Sequence, residues 1–485
     1  MRSILPIILT LSIGCTKDGG DTGSDGPADD TSSPVDDTGT EPAVEGFDVH
    51  SCDDVEGPCE QISPGDSEGL LEITNLMEDG TTIVLGEGTY SLSNSVMIRN
   101  ANIKLMGQGM DLTTLDFGEQ AVQTNGVDVV GDGFTIMDLT ILDAKKDGLR
   151  VEDSDGVVIR RTRTTWTDLE SDENGAYGLY PVHCTNVLID ASEAHNASDA
   201  GIYVGQSQHV IVRDSLATGN VAGIEIENTQ YADVYGNTAT ENTGGMLIFD
   251  MPGNPVFTRD VKVHDNDIFG NNTANFAPGG TVAQIPAGTG AVILAARRVE
   301  FTNNTFRNNN STDIAIVNGL AIEGSEDSWA VAYDDIIGDY EDLMLASDDT
   351  HVWNFSTTEV LVSGNTHEGS GGAIDYYDLD RRPIGFLIGA IYMPDRVDDI
   401  LYDTIGESSF HATDATLNSN DNNICVGDES GGTFASIDME ARAAELEVGD
   451  IPDTSRIFQP DAPFTPFDCT ELAGGAIGDI SITVQ

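Results

Sequence analysis

The stretch SDAGIYVGQSQHVIVRD (198–214), continued by AGIEIENTQYADVYGNTATENTGGMLIFD (222–250), decides how this chain folds. A glycine opens a short alternating strand at Gly201 (GIYVGQ), Gly223 (GIEIEN) and Gly245 (GMLIFD), each 22 residues after the last. Upstream, Gly178 (GLYPVH) precedes Gly201 by 23 residues, and Gly148 (GLRVED) precedes Gly178 by 30, with a polar excursion near Thr167–Asn174. Gly126 and Gly290 extend the series in both directions.

A second strand keeps the same register. Nine and eleven residues after each glycine stand Val157/Ile159, Val187/Ile189, Val210/Val212, Ala232/Val234 and Val299/Phe301. Alternation with period two marks one buried face per strand. Short strands at a period of about 22 residues, with Asn or Gly at the corners, describe an all-β solenoid of three strands per turn. Each turn stacks on the next, and the predicted fold is a right-handed parallel β-helix. Leucine-rich repeats share the period, but their Leu-x-x-Leu-x-Leu pattern is absent.

Working outward, Ser63-Pro64-Gly65-Asp66 has the capping-box pattern with Pro at the first helical position, and Leu70, Ile73 and Leu76/Met77 follow at helical spacing. This predicts an N-terminal cap with a helix over 47–79, ended by Gly80. The β-helix is expected over 80–410, with a C-terminal cap over 411–485. Interruptions at 251–258, 270–289 and 320–355 are expected to project as loops from one corner.

The N-terminus reads as export machinery. Arg2 and the apolar run Ile4–Ile13 predict a signal peptide over 1–14, too short for a membrane span. Leu11-Ser12-Ile13-Gly14-Cys15 resembles a bacterial lipoprotein signal, which implies lipidation of Cys15 and an outer-membrane or cell-surface location. Residues 16–46 hold nine acidic residues and one Lys among Gly, Ser, Thr and Pro, the composition of a disordered tether. Membrane contact would then come only through the lipid anchor. Of the six cysteines, Cys52 and Cys59 are placed to close a small loop, and Cys425 and Cys469 are assigned to a second bridge. Cys184 remains as a buried free thiol, and no C-x-x-C supports zinc, redox or haem chemistry.

The formal net charge is −62, from 83 Asp and Glu against 21 Lys and Arg. Such a field repels nucleic acid and disfavours polyanionic sugars unless divalent cations bridge the two. A carboxylate surface of this density can recruit Ca2+, the one cofactor the composition suggests.

ENGAYGLYPVHCTNV (173–187), the two segments quoted first, NFAPGG (275–280), PAGTG (286–290), the helix-then-EGTY start (Gly80 to Tyr90) and the Cys425/Cys469 tail resemble bacterial parallel β-helix repeat lipoproteins of the pectin-lyase-like superfamily. The resemblance spans about 50–485. Members of that family commonly occur beside a secreted c-type cytochrome-like protein, which the resemblance implies as a partner. The wider superfamily contains polysaccharide lyases, glycosidases, epimerases and metal-site assembly factors. The Asn-Thr-Asp, Gly-His-Gly and Arg-Ile-Lys signatures of polygalacturonases are absent, as is an aspartate ladder for a pectate lyase. Clusters of Met and His that would suit metal-site assembly are also missing.

The repeat fixes which residues face outward. Two residues after each glycine the column reads Arg150, Tyr180, Tyr203, Glu225, Leu247; four after, Glu152, Val182, Gly205, Glu227, Phe249; five after, Asp153, His183, Gln206, Asn228, Asp250. Successive turns lie about 4.8 Å apart. Glu225, Glu227 and Asp250 are therefore candidate catalytic carboxylates, and Glu225 and Glu227 lie about 6.7 Å apart along their strand. That separation suits a glycosidic acid–base pair. Tyr180, Tyr203, Gln206 and Arg150 are candidate substrate contacts, the tyrosines by stacking on sugar rings. His183, His195 and His209 lack metal-ligand spacing and read as polar corner residues. Three functions compete: a binding scaffold for a partner protein, a polysaccharide-binding or polysaccharide-degrading protein working through this strip, and a metal-site assembly factor, the last without the Met and His clusters it would use.

Overall fold

The computed structural model describes residues 49–374, 383–392, 395–403, 420–439, 456–459 and 464–484. The signal peptide, Cys15 and the tether lie outside the described residues, as does much of the C-terminal segment.

The body from Val49 is a right-handed parallel β-helix. Its first sheet is led by the glycine strands: Leu149–Glu152, Tyr177–Val182, Ala200–Gly205, Ala222–Glu227 and Gly244–Phe249. It continues through Thr289–Leu294, Thr312–Val317, Ile400–Asp403 and Phe434–Ile437, all parallel. The second strands include Thr185–Asp190, Gln208–Arg213, Gln230–Tyr235 and Arg259–His264, and short third strands such as Leu216–Thr218 complete each turn. The register is regular: Tyr203 pairs with Glu225, and Glu225 with Leu247.

The repeating glycines mark places where the backbone allows no Cβ. A Cβ on Gly201 would meet Asn220 Nδ2 at 2.6 Å, and one on Gly223 would meet Asn242 Nδ2 at 2.9 Å. Those asparagines stand in a ladder inside the coil. Asn220 Nδ2 donates to Asn242 Oδ1, and Asn242 Nδ2 to Asn271 Oδ1, both at 3.0 Å, while each amide also bonds the backbone of neighbouring turns. A buried corner is thereby satisfied turn after turn. The remaining interior is aliphatic: Val187, Ile189, Val210, Val212, Ile224 and Ile226 are fully buried.

Both ends of the stack are covered. Cys59–Ile62 pairs in parallel with Thr82–Leu85, and helix α1 (Ser67–Leu76) places Leu70 in the core beside them. The helix starts later than its sequence pattern suggests. Gly65 turns the chain at φ +71°, and Asp66 rather than Ser63 is the N-cap, accepting from Gly69 N at 2.9 Å. At the other end the coil continues through Ile424–Val426 and Phe434–Ile437, beyond the point where the sequence repeat fades. Phe464 and Phe467 pack against Phe434 in the core there. Cys52 is bonded to Cys59 and Cys425 to Cys469.

The interruptions leave the coil beside the first sheet. Segments 270–288 and 318–357 fold back over its outer face, where Leu247, Phe249 and Leu294 join Val282, Ile285, Trp329 and Phe355 in a second apolar cluster. Helix α2 (Pro383–Tyr392) covers the same face further along, with Ile388 against Leu401 and Ile437.

Candidate functional site

The outer face of the first sheet is therefore not a uniformly solvated strip. Ile224 and Ile226 point into the core, so Glu225 and Glu227 point out, but Glu225 is only 1% exposed. Tyr203, Leu247 and Phe249 are buried as well. The side chains that reach solvent are those at the edge of the cover: Tyr177, Tyr180, Asp199 and Glu227, each half-buried.

Three tyrosines build one wall. Tyr177 lies 4.6 Å from Tyr180 and 4.8 Å from Tyr203, ring centre to ring centre, and Tyr180 lies 4.9 Å from Tyr203 with the planes at 75°. Burial, then the surrounding carboxylates, raise all three phenols above their ordinary value, that of Tyr180 to about 12. They are neutral hydroxyl donors at any working pH.

Four carboxyls face this wall. Burial pushes Glu227 up to about 7 despite a hydrogen bond from Tyr203, and Asp199 and Asp250 add to the rise. Asp199 is also pushed up to about 7 by burial, against a hydrogen bond from Tyr177 and helped by Asp147. Glu225 is raised well above the carboxylate range by burial and by its neighbours Asp199 and Glu227, and its Oε1 has no protein hydrogen-bond partner. Asp147, 1% exposed, is likewise raised by burial, with Lys146 Nζ at 3.6 Å. Like charges this close cannot all ionise, so the cluster keeps protons up to neutral pH.

The other expected site residues are engaged with partners of their own, Arg150 as the in-register neighbour of Tyr180. Asp250 is fully buried and ion-paired with Arg297, itself 0% exposed, whose guanidinium also bonds the Asn354 carbonyl. The pair ties the 318–357 segment to the coil, which corrects the expectation of an outward carboxylate. Asp250 belongs to the corner, where the chain leaves the strand and the alternation ends. Arg150 is held by Asp128 at 3.1 Å and Glu152 at 3.1 Å. Gln206 meets the His183 ring at 2.7 Å on the exposed corner. His195 contacts Glu193, and His209 stacks on Tyr231. Cys184 is buried and free, its thiol pushed up to about 12 by burial.

Tyr177 and Asp147 escaped the sequence reading for one reason, and Asp199, two residues before Gly201, lies ahead of the strand where no alternation applies. A Cβ on Gly178 would point at Thr164 and Ala194, inside the coil, although the following Leu179 also points inward. The corner thus resets the alternation, and the residue before the glycine faces out together with the residue two after it. Tyr177 before Gly178 and Asp147 before Gly148 were the available signal.

Among the described residues, one group has the spacing for a metal ion: Asp313, His367 and Asp399, all buried. Its ligand atoms are already engaged. The His367 ring lies between Asp313 and Glu429, each at 2.9 Å, and Asp399 accepts from Thr433 and Arg396. This group lies at the C-terminal end of the coil and reads as a structural ion network.

Comparison with known proteins agrees on the fold. Residues 120–327 match the family described as right handed beta helix region. No curated protein matches the sequence. Among solved structures, the chain is similar to the A-module of a mannuronan C-5 epimerase from Azotobacter vinelandii, at 16% identity and TM-score 0.42, over 70% of this chain and 90% of that one. It is similar to an exopolygalacturonase from Thermotoga maritima at 11% identity and TM-score 0.42, over 83% and 94%. An alginate lyase from Paenibacillus gives 13% identity and TM-score 0.31, over 63% and 95%.

Proposed function

We propose that the protein binds a neutral polysaccharide against the Tyr177–Tyr180–Tyr203 wall and cleaves it by acid–base chemistry, with Glu227 and Asp199 as the proton carriers. The observation that carries this reading is two half-buried carboxyls held near pH 7, each hydrogen-bonded to a tyrosine, in front of a third, buried and unpartnered carboxyl. An enzyme acid must hold its proton near working pH, and its partner base must be able to lose one. Two interacting carboxyls that titrate together near neutrality meet both conditions. In cleavage, the protonated member gives its proton to the glycosidic oxygen, and the ionised member takes one from the attacking water.

Glu225, behind the pair, acts as a neutral group that keeps the site short of negative charge. This shifts the sequence-based assignment from Glu225 and Glu227 to Asp199 and Glu227, because only the latter two reach solvent. The tyrosine faces suit the C–H faces of pyranose rings. The net charge of −62 selects against uronate polymers and favours neutral glycans.

The test is release of reducing ends from a panel of neutral polysaccharides by the full chain. Turnover by the parent protein, with Glu227→Gln and Asp199→Asn reduced at least about 100-fold and binding retained, supports the proposal. Absence of binding and turnover across neutral glycans refutes it and favours the partner-scaffold reading.

A further inference from the structure

The outer face continues past the carboxyls as an apolar trough. Leu247 is the in-register neighbour of Glu225, and Phe249 that of Glu227. From there the outward side chains of successive strands turn apolar: Leu247, then Val292, Ala315 and Leu401. These form the floor of a cavity of ≈ 80 Å³, roofed by Ile285 of the 270–288 segment and Ile388 of α2. The trough thus begins about one turn spacing, roughly 4.8 Å, from the carboxyl-bearing strand.

We infer that the trough takes a short acyl substituent carried by the glycan, so that the preferred substrate is a neutral, acylated polysaccharide. The inference rests on the proposed glycan site, and it adds the substituent. A sugar held over Glu227 would have a substituent facing along the sheet toward Phe249 and Leu247, where the lining turns mostly aliphatic. An apolar cavity of about 150 Å³ stays dry and accepts benzene. A space of ≈ 80 Å³ therefore has room for about three carbon atoms by that comparison. The lining is mostly apolar, so a hydroxyl or carboxylate substituent would give up its water there for few partners.

The experiment is a chain-length series. N-acetyl-, N-propionyl-, N-butanoyl- and N-pentanoyl-glucosamine are titrated against the full chain by calorimetry. Affinity should rise about fourfold per added methylene while the trough fills, then level off. Ala315→Trp fills the floor and should flatten the series, with circular dichroism unchanged. Should that variant fail to fold, Leu294→Asn makes the lining polar and should flatten it equally. A flat series on the parent protein, or a rise that both variants retain, overturns the inference. The two readings fail separately. A flat series with Glu227-dependent cleavage of unsubstituted glycans removes only the trough, whereas a steep series without any Glu227-dependent cleavage removes the catalytic proposal and leaves the trough.

Discussion

Replacing Glu227 by Gln should make the protein more stable at pH 8 and leave it nearly unchanged at pH 5. The carboxyl, ordinarily at 4.5, is held at about 7, first by burial and then by Asp199 and Asp250. Its folded-state value is raised, so folding takes up a proton between these two values. The stability it allows is complete below about pH 4.5 and is lost as pH rises through about 7. The displacement corresponds to at most about 3 kcal/mol. Because the side chain is half-buried, water screens part of this, and about 1–2 kcal/mol is expected at pH 8. Gln keeps the shape and an oxygen that accepts from Tyr203, but it never ionises. Urea denaturation midpoints of the parent and E227Q at pH 5 and pH 8 measure the difference. If E227Q is less stable at both pH values, Glu227 is a structural residue and the site reasoning fails. A residue retained for function at a cost in stability is the pattern the account requires.

Arg297→Met leaves the Asp250 carboxylate buried without its partner, and should cost about 3–5 kcal/mol. Limited proteolysis should then cut within 318–357, and unchanged resistance would contradict the tie. Asn242→Ala breaks the corner ladder on both sides, leaving Asn220 and Asn271 without a shared partner, and should cost about 2–3 kcal/mol by denaturation. For His367, burial lowers the imidazolium, but hydrogen bonds to Asp313 and Glu429 outweigh it and hold the group at about 9. The stability it contributes is complete below pH 6.5 and is lost as pH rises through about 9. Thermal midpoints should fall across that window, and His367→Gln should remove the dependence.

Much of the coil was legible because the repeat is written in residues that the geometry cannot replace. Gly201 and Gly223 sit where a Cβ would strike the asparagine ladder, and Ile224 and Ile226 alternate without interruption. The outward column was readable for the same reason, so Tyr180, Tyr203, Glu225 and Glu227 were found. Two things were not legible. The phase reset at the glycine corner hid Tyr177 and Asp147, since strict alternation assigns the wrong face to the residue before the glycine. The return of the 318–357 segment over the sheet depends on contacts such as Arg297 with the Asn354 carbonyl, 57 residues apart. Nothing local in either residue announces the other. Burial decided the site: Glu225 is 1% exposed, whereas Glu227 and Asp199 reach solvent.

The most direct test of the central claim is the pH profile of glycan cleavage by the full chain. The account predicts a narrow bell centred near pH 7, abolished in both Glu227→Gln and Asp199→Asn. A profile that is flat between pH 5 and 9, or cleavage that survives in both variants, would contradict it.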